Sequence, residues 1–259
     1  MQIAIDEFSL VTVPLELRFN DQPLAKATGF TWNRGNTHYL ITNWHNVSGR
    51  DPNTDKHISK TAAEPNVLRA SFNTFGGHVG DKHPVVIDIR QDQDTVSWLV
   101  HPVHKRKIDV VAIPLNGDYL SSINFFSINK MGSPDLVVKV GMEVFILGYP
   151  FGPGKNGLPV WKRGSIASEP DLVPQIEPYF LIDTASRPGM SGSPVILRNF
   201  GVHVSQDSRV AVSTGPANKF IGVYSGRLHT RDPMDAQIGM VWSATYIDQI
   251  IDGGLMEYG

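Results

Sequence analysis

The chain has 259 residues, a formal net charge of −2, 41% hydrophobic and 19% charged residues, and no cysteine. The composition is that of an ordinary globular protein, and the length fits one large all-β unit or two small domains. There is no basic excess to support nucleic-acid binding, and the lack of cysteine excludes disulfides, thiolate metal sites and a cysteine nucleophile. A hydrolase built from this chain must use an oxygen nucleophile.

The N-terminal sequence MQIAIDEFSL lacks the basic start and the unbroken apolar stretch of a secretory signal. No run approaches the ~18 apolar residues that a membrane helix needs. Provided that no signal has been removed from the chain, we expect a cytoplasmic protein with no membrane partner.

Short apolar runs, separated by many of the 24 glycines and 18 prolines, predict an all-β fold. The first set of predicted strands is Leu10–Leu17, Ala27–Trp32, Tyr39–Thr42, Leu68–Phe72, Val85–Ile89, Val96–Val100 and Val110–Leu115. The second set is Glu143–Leu147, Val160–Ile166, Tyr179–Ile182, Pro194–Leu197, Phe220–Tyr224 and Ile238–Trp242. Residues 116–135, between the sets, are polar and rich in turn residues, so we expect two β halves, 1–120 and 121–259.

Only the C-terminal end has helical periodicity. Apolar residues from Tyr246 to Ile251 recur at helical spacing, with Ser243 as a candidate cap and Gly253 as a candidate terminator. We expect this helix to pack its apolar stripe on the second half. Residues 49–66 are polar without a period, which predicts a long surface loop.

The segment RPGMSGSPV places Ser191 among Gly189, Gly192 and Ser193, just before an apolar strand. Glycines beside a serine allow backbone N–H groups to converge near its hydroxyl, and acyl transfer needs such donors to hold an oxyanion. Because Gly-x-Ser-Gly is also a common turn sequence, the segment by itself leaves a plain turn open.

Two further residues could complete a nucleophilic site. His45 follows the predicted strand Tyr39–Thr42 and could act as a general base, or could simply be a strand-end histidine bonded to backbone. Asp109 is the only charged residue in the apolar run from Ile108 to Leu115, where a carboxylate is costly unless it is paired. Strand-start aspartates are frequent, so only the combination of the three residues is informative.

The order His45, Asp109, Ser191, each in its local context, resembles the chymotrypsin clan of serine peptidases. The segment LIDTASRPGMSGSPV is most similar to bacterial trypsin-like peptidases, the HtrA (Deg) proteases and their relatives. The resemblance implies two six-stranded antiparallel β-barrels packed at an angle, the first carrying His45 and Asp109, the second carrying Ser191 and ending in a helix. The site would lie in the cleft between them.

The resemblance also implies a role for each residue. Ser191 would attack the acyl carbon, His45 would take and return the proton, and Asp109 would orient the imidazole. The N–H groups of Gly189 and Ser191 would form the oxyanion hole. The activity expected is that of a serine endopeptidase acting on a peptide or protein substrate through an acyl-enzyme, with no cofactor.

By position in the family, the specificity pocket would involve Ala185, Ser186, Tyr224, Ser225 and Gly226. Ala185 stands where an acidic residue would select Lys or Arg, so a small or apolar side chain is expected before the cleaved bond. Arg227 or the Tyr224 hydroxyl could instead favour a polar or acidic residue. Ser225 and Gly226 would pair with the substrate backbone and add it as an extra strand.

One residue departs from the digestive members of the clan, which carry an aspartate before the nucleophile where this chain has Met190. Activation by an ion pair from that aspartate to a new N-terminus is excluded, so packing or a partner must hold the loop. Two alternatives follow: a catalytically silent module that binds a peptide or protein, and an enzyme activated by a partner protein. Retention of all three triad side chains argues against the silent module.

Two other patterns resemble known sites but lack part of what those sites require. His101 and His104 flank a proline in a basic loop without a third ligand nearby, so a solvated loop is expected rather than a metal site. Gly152, Gly154 and Gly157 match a dinucleotide-binding pattern, but Pro153 and Pro159 exclude the helix that would receive a phosphate.

Overall fold

The computed structural model describes residues 5–78, 80–91, 95–132, 135–173, 175–185, 187–205, 209–228 and 237–258. Their strands form two antiparallel sheets, the second of which is a closed barrel. The prediction of an all-β, two-barrel fold with a C-terminal helix is therefore confirmed.

The first sheet contains most of the N-terminal strands. They are β1 (Thr12–Phe19), β2 (Gln22–Arg34), β3 (Thr37–Thr42), β4 (Val67–Asn73), β5 (Lys82–Asp88), β6 (Thr95–Val100) and β7 (Val111–Pro114). Their order in the sheet is β6-β7-β3-β2-β1-β4-β5. A bridge between Arg90 and Val96 joins the end of β5 to β6, so the sheet curls round on itself. The described residues thus give this sheet more than the six strands that the family resemblance implied.

The second half of β2, the end of β3 and most of β7 are buried on both faces. Leu40 and Val111 point into the core of the first sheet, whereas Ile41 and Ala112, their neighbours in sequence, belong to a second core shared with the other barrel. This double burial explains why the run from Ile108 to Leu115 is almost continuously apolar. It also places Asp109 at the contact between the two barrels.

The second barrel contains the C-terminal strands, closed in the order β10-β13-β12-β11-β8-β9. They are β8 (Glu143–Gly148), β9 (Val160–Ile166), β10 (Phe180–Asp183), β11 (Pro194–Val204), β12 (Val210–Arg227) and β13 (Ile238–Ser243). Strands β11 and β12 extend well past the predicted ends, Leu197 and Phe220, as a hairpin whose register continues to Val204 and Val210.

The described residues include three α-helices: α1 (Phe8–Val11), α2 (Trp44–Ser48) and α3 (Thr245–Gly253). Three short 3-10 turns cover Asp118–Ser122, Ile128–Lys130 and Pro170–Leu172. None of the helices in the described ranges has the length and apolar composition that crossing a membrane requires.

Helix α3 buries the predicted stripe from Tyr246 to Ile251, but the predicted terminator was wrong. Gly253 is the last helical residue, and the left-handed Gly254 terminates the helix. The stripe packs into the core cluster of the second barrel, as predicted, with the Tyr246 ring against Trp242. The helix also contacts β6 and β7 of the first sheet, with Gln249 bonded to His101. Directly after the helix, the chain returns to the first sheet.

That return is strand β14 (Leu255–Tyr258), which pairs with β6 and was not predicted. The last strand of the predicted second half, 121–259, therefore lies in the first sheet. The division of the chain near residue 120 remains a prediction. The Glu257 carboxylate accepts hydrogen bonds from the indole N–H groups of Trp44, at 2.7 Å, and Trp98, at 2.8 Å. Both indoles are buried, so this carboxylate is their acceptor within the core.

We expect Glu257→Ala to lower the free energy of unfolding by about 2 to 4 kcal/mol, because two buried N–H donors lose their acceptor. Glu257→Gln keeps an acceptor oxygen and should cost less than half as much. Urea denaturation of both variants beside the parent protein measures the difference. Equal stability of the Ala and Gln variants would contradict this role for the carboxylate.

Candidate active site

His45 and Asp109 are brought together by the ends of two neighbouring strands. Strand β3 ends at Thr42, and the one-turn helix α2 then presents His45, while Asp109 lies two residues before the start of β7. Asp109 Oδ2 lies 2.7 Å from His45 Nδ1, and Asp109 Oδ1 accepts the His45 backbone N–H at 2.9 Å. Because a carboxylate only accepts, Nδ1 carries the proton and Nε2 remains available as a base.

The Asp109 carboxylate is 1% exposed, and hydrogen bonds satisfy its charge. Besides the two donors of His45, the Ser225 hydroxyl donates to Oδ2. The Asn43 side-chain amide donates to the Asp109 carbonyl at 2.7 Å, which fixes the backbone of the same residue. Ser225 was predicted as a residue of the specificity pocket and as a backbone partner for substrate, so the contact of its hydroxyl with Asp109 is a role that the sequence did not indicate.

The pKa of His45 reflects opposing effects. Burial is the largest single effect and lowers the pKa, because it disfavours the charged ring. The charge of Asp109 and its hydrogen bond to the ring, with a smaller contribution from Asp51, raise the pKa and together outweigh burial. The net pKa of His45 lies above its ordinary value of 6.5, so the base becomes neutral only above that pH.

Ser191 lies in a loop that begins with a tight turn. The N–H of Met190 donates to the carbonyl of Arg187 at 3.3 Å, and Gly189 has φ +91°. Proline followed by a left-handed glycine is the pattern of a type II turn. The Met190 side chain is buried, and a Cβ atom placed on Gly148 would lie 2.8 Å from its sulfur. Packing of Met190 therefore contributes to holding the loop in the isolated chain.

The backbone donors around Ser191 divide into two groups. Gly192 N–H donates to the Tyr224 carbonyl at 2.8 Å, and Ser193 N–H donates to the Met190 carbonyl at 3.0 Å. Within the described part of the chain, the N–H groups of Gly189 and Ser191 donate to no protein group. Two unused donors beside a serine hydroxyl are what an oxyanion hole requires.

Thr28 of β2 connects the first barrel to the nucleophile loop. Its N–H donates to the Ser191 carbonyl at 2.9 Å, and its hydroxyl donates to the Gly189 carbonyl at 2.8 Å. The same hydroxyl accepts the N–H of Tyr149 at 3.0 Å. These bonds turn the carbonyls of Gly189 and Ser191 toward the first barrel. Sequence analysis did not identify Thr28, since a threonine in an apolar strand carries no signal of this role.

Further contacts hold the same junction. Asn46, next to His45, donates to the Ser191 carbonyl at 3.4 Å and to the Thr42 hydroxyl at 3.0 Å. Thr42 in turn donates to the Thr28 carbonyl at 2.9 Å. A Cβ atom on Gly192, which has φ +84°, would lie 2.0 Å from that carbonyl. Glycine at position 192 is therefore required by both close approach and backbone conformation.

We expect Thr28→Val to lower kcat/KM for peptide hydrolysis by about 10- to 100-fold, because two buried groups lose a hydrogen-bond partner at the oxyanion turn. Thr28→Ser retains the hydroxyl and should stay within about threefold of the parent. Measuring kcat/KM and the melting temperature of each variant separates this effect from a loss of folded protein. A Val variant as active as the Ser variant would rule out a positioning role.

The Ser191 hydroxyl lies at the β12 side of the cleft, 3.9 Å from the Cβ position of Gly226. No hydrogen bond joins it to His45 among the described residues. In substrate-free sites this bond is often long and shortens only when substrate binds. The structure thus brings the three predicted residues to one junction and shows the His45–Asp109 pair directly.

The predicted specificity residues have different environments. Ala185 is exposed, and Ser186 lies outside the described residues. Tyr224 is 1% exposed, with its ring against Gly239, whose Cβ position would be 2.4 Å from Cε2. Tyr224 is therefore a core residue of the second barrel on this side of the cleft.

His101 has its ring nitrogens bonded within the protein. Its Nε2 lies 2.9 Å from Gln249 Oε1, and its Nδ1 accepts the backbone N–H groups of Val103 and His104 at 3.2 and 3.1 Å. These contacts give His101 a structural role in joining the basic loop to α3.

The two-barrel fold, the His45–Asp109 pair and the free donors beside Ser191 define the class of chymotrypsin-like serine-peptidase domains. A family model described as a trypsin-like peptidase domain matches residues 27–202. The chain belongs to this trypsin-like peptidase family, and the resemblance seen in the sequence is confirmed.

One of the similar solved structures supports the fold. A serine endoprotease from Yersinia pestis is 11% identical with a TM-score of 0.51, and the match covers 97% of this chain and 67% of that one. The active form of the Rv3671c protease from M. tuberculosis is 16% identical with a TM-score of 0.48, covering 95% and 81% of the two chains. At 11% identity the likeness to the Yersinia pestis protein concerns the fold alone, and no argument rests on the lower-scoring structure. A search of curated proteins finds no match.

Proposed function

We propose that this protein is a serine endopeptidase that hydrolyses peptide bonds through an acyl-enzyme on Ser191. The observation that carries the proposal is the pairing of His45 with buried Asp109 beside a serine whose flanking N–H donors are unused. The absence of cysteine from the chain and the family membership support the choice of serine as nucleophile.

In the proposed mechanism, Ser191 Oγ attacks the substrate carbonyl while His45 Nε2 takes its proton. The oxyanion then accepts hydrogen bonds from the N–H groups of Gly189 and Ser191, each worth roughly 3 to 4 kcal/mol in the transition state. His45 returns the proton to the leaving amine, and water attacks the acyl-enzyme by the same route in reverse. Asp109 keeps the proton on Nδ1 and stabilises the imidazolium.

On the acyl side of the cleaved bond, we propose a preference for a small or apolar side chain. Ala185 supplies no charge at the position that would select Lys or Arg. The buried ring of Tyr224 occupies space between β12 and Gly239, which favours a shallow pocket. Profiling with a peptide library measures this preference directly, and a requirement for Lys or Arg would contradict it.

A partner-activated enzyme is the second candidate. In such an enzyme a partner would bring the Ser191 hydroxyl and His45, which share no hydrogen bond among the described residues, into contact. The buried Met190 side chain, which holds the loop without a partner, favours the constitutive enzyme.

A fluorescent fluorophosphonate tests the proposal on the purified protein. We expect labelling at Ser191, located by mass spectrometry, with loss of labelling in Ser191→Ala. The matched control is Ser193→Ala, two residues away, which removes a buried hydroxyl and should retain the label. Absence of labelling and of peptide hydrolysis in the parent protein would overturn the constitutive-enzyme proposal and leave the partner-dependent one.

A further inference from the structure

A pocket of about 260 Å³ lies between the first sheet and the segment that follows β8, and the proposed mechanism does not use it. Strands β1, β2 and β4 form one side of it, and the segment after β8 forms the other. Its lining includes Glu16, Lys26, Arg69, Tyr149 and Gly152. The buried side chains of Leu15 and Ala27 give it an apolar floor.

Both sides of this pocket touch the oxyanion turn. Ala27 directly precedes Thr28, which is hydrogen-bonded to the Gly189 and Ser191 carbonyls. On the other side, the Tyr149 carbonyl would lie 2.8 Å from a Cβ atom placed on Gly189. The lining of the pocket is therefore connected, through Thr28 and Tyr149, to the turn that carries the proposed oxyanion donors.

The pocket carries an excess of positive charge. In the sheet register, Glu16 lies opposite both Lys26 and Arg69, but its carboxylate bonds Arg18. Among the described residues, neither Lys26 nor Arg69 forms an ion pair. Two cationic groups thus line the pocket without a carboxylate of their own.

Gly152 gives the lysine room to reach over the pocket. A Cβ atom at this position would lie 3.2 Å from Lys26 Nζ, and Gly152 has φ +76°, which a larger residue would adopt only with strain. Because position 152 has no side chain, the ammonium group of Lys26 can lie over this edge of the pocket.

The direction of the substrate follows from the proposed function, on which this inference rests. If the acyl part pairs with β12 near Gly226, the chain beyond the cleaved bond leaves past the Thr28 and Tyr149 wall. We infer that the pocket binds an acidic side chain in the first few residues after the cleaved bond, with Lys26 and Arg69 as the specificity-determining residues.

The test uses matched fluorogenic peptides that differ only by Glu, Gln or Lys at each of the first three positions after the cleaved bond. All have amidated C-termini. At low salt we expect kcat/KM to be about 3- to 10-fold higher for Glu than for Gln at one position, with Lys the poorest. Because the pocket is open to solvent, the preference should shrink as ionic strength rises.

The variants Lys26→Ala and Arg69→Ala should each reduce the preference, and the double variant Lys26→Glu with Arg69→Glu should reverse it. Lys60→Ala, in the exposed loop of residues 49–66, is the matched control and should leave the Glu/Gln ratio unchanged. A second set of Gln peptides carries a free C-terminal carboxylate instead of the amide. If only this set is cleaved faster than the amidated Gln peptides, the pocket does not recognise an acidic side chain.

Fluorophosphonate labelling and hydrolysis of an ester substrate that ends at the cleaved bond separate this inference from the proposed function. Normal labelling and ester hydrolysis with equal cleavage of the Glu, Gln and Lys peptides would overturn the inference alone. Absence of both activities would overturn the proposed function and the inference together.

Discussion

Replacing Ser191 with alanine is expected to lower kcat for peptide hydrolysis by about 10⁶-fold, the loss seen when a triad nucleophile is removed. No cysteine can substitute for it, and the neighbouring Ser193 hydroxyl is buried. The remaining rate would come from the oxyanion donors and substrate binding. Steady-state kinetics with the best library peptide, over long incubation, measures the loss.

The same variant should fold and bind normally. The Ser191 hydroxyl makes no hydrogen bond among the described residues, so its removal leaves the contacts of the loop in place. We therefore expect a melting temperature and a peptide Kd close to those of the parent. Ser193→Ala serves as the activity control and should retain most of kcat. Substantial hydrolysis by purified Ser191→Ala would mean that another residue is the nucleophile.

Replacing Asp109 with asparagine is expected to lower kcat by about 10⁴-fold without unfolding the protein. Asp109 accepts from the His45 backbone, the His45 ring and the Ser225 hydroxyl. An asparagine NH₂ in place of Oδ2 can only donate, so Nδ1 of His45 must accept. This favours the tautomer of His45 that carries its proton on Nε2. His45 in that tautomer cannot accept the proton of Ser191.

The acidic limb of the pH profile of kcat/KM should differ between Asp109→Asn and the parent protein. In the parent protein, Asp109 raises the pKa of His45 above 6.5, so kcat/KM should rise with pH through that raised value. In Asp109→Asn, burial remains while the carboxylate charge is lost, so the pKa of His45 falls. The acidic limb of the residual activity should move to lower pH. An unshifted limb would show that another group controls it.

Ser225→Ala is the matched comparison for Asp109. It removes one of the donors to the carboxylate and leaves the His45–Asp109 contact intact. We expect a loss far smaller than that of Asp109→Asn, because the tautomer of His45 does not change. A loss as large as that of Asp109→Asn would make the Ser225 contact essential for holding the pair.

The sequence by itself determined those features whose physical cause is local. Glycines at 189 and 192 were recognisable beside Ser191, and the structure gives both of them positive φ, which glycine adopts at little cost. Asp109 was recognisable because a charge inside a buried strand needs a partner. Short apolar runs between turn residues were enough to predict the β class and most strand positions.

Only the tertiary structure decided the features that depend on residues far apart in the chain. Thr28 meets Gly189 across 161 positions, and Ser225 meets Asp109 across 116. A threonine in a strand or a serine after one carries no local mark of such a partner. Glu257, which accepts from the Trp44 and Trp98 indoles, could likewise not be predicted in this role. It lies on β14, and that strand forms by pairing with the edge of β6. Local conformational preference selects the nucleophile turn, whereas long-range packing selects the groups that hold it and that line the cleft beside it.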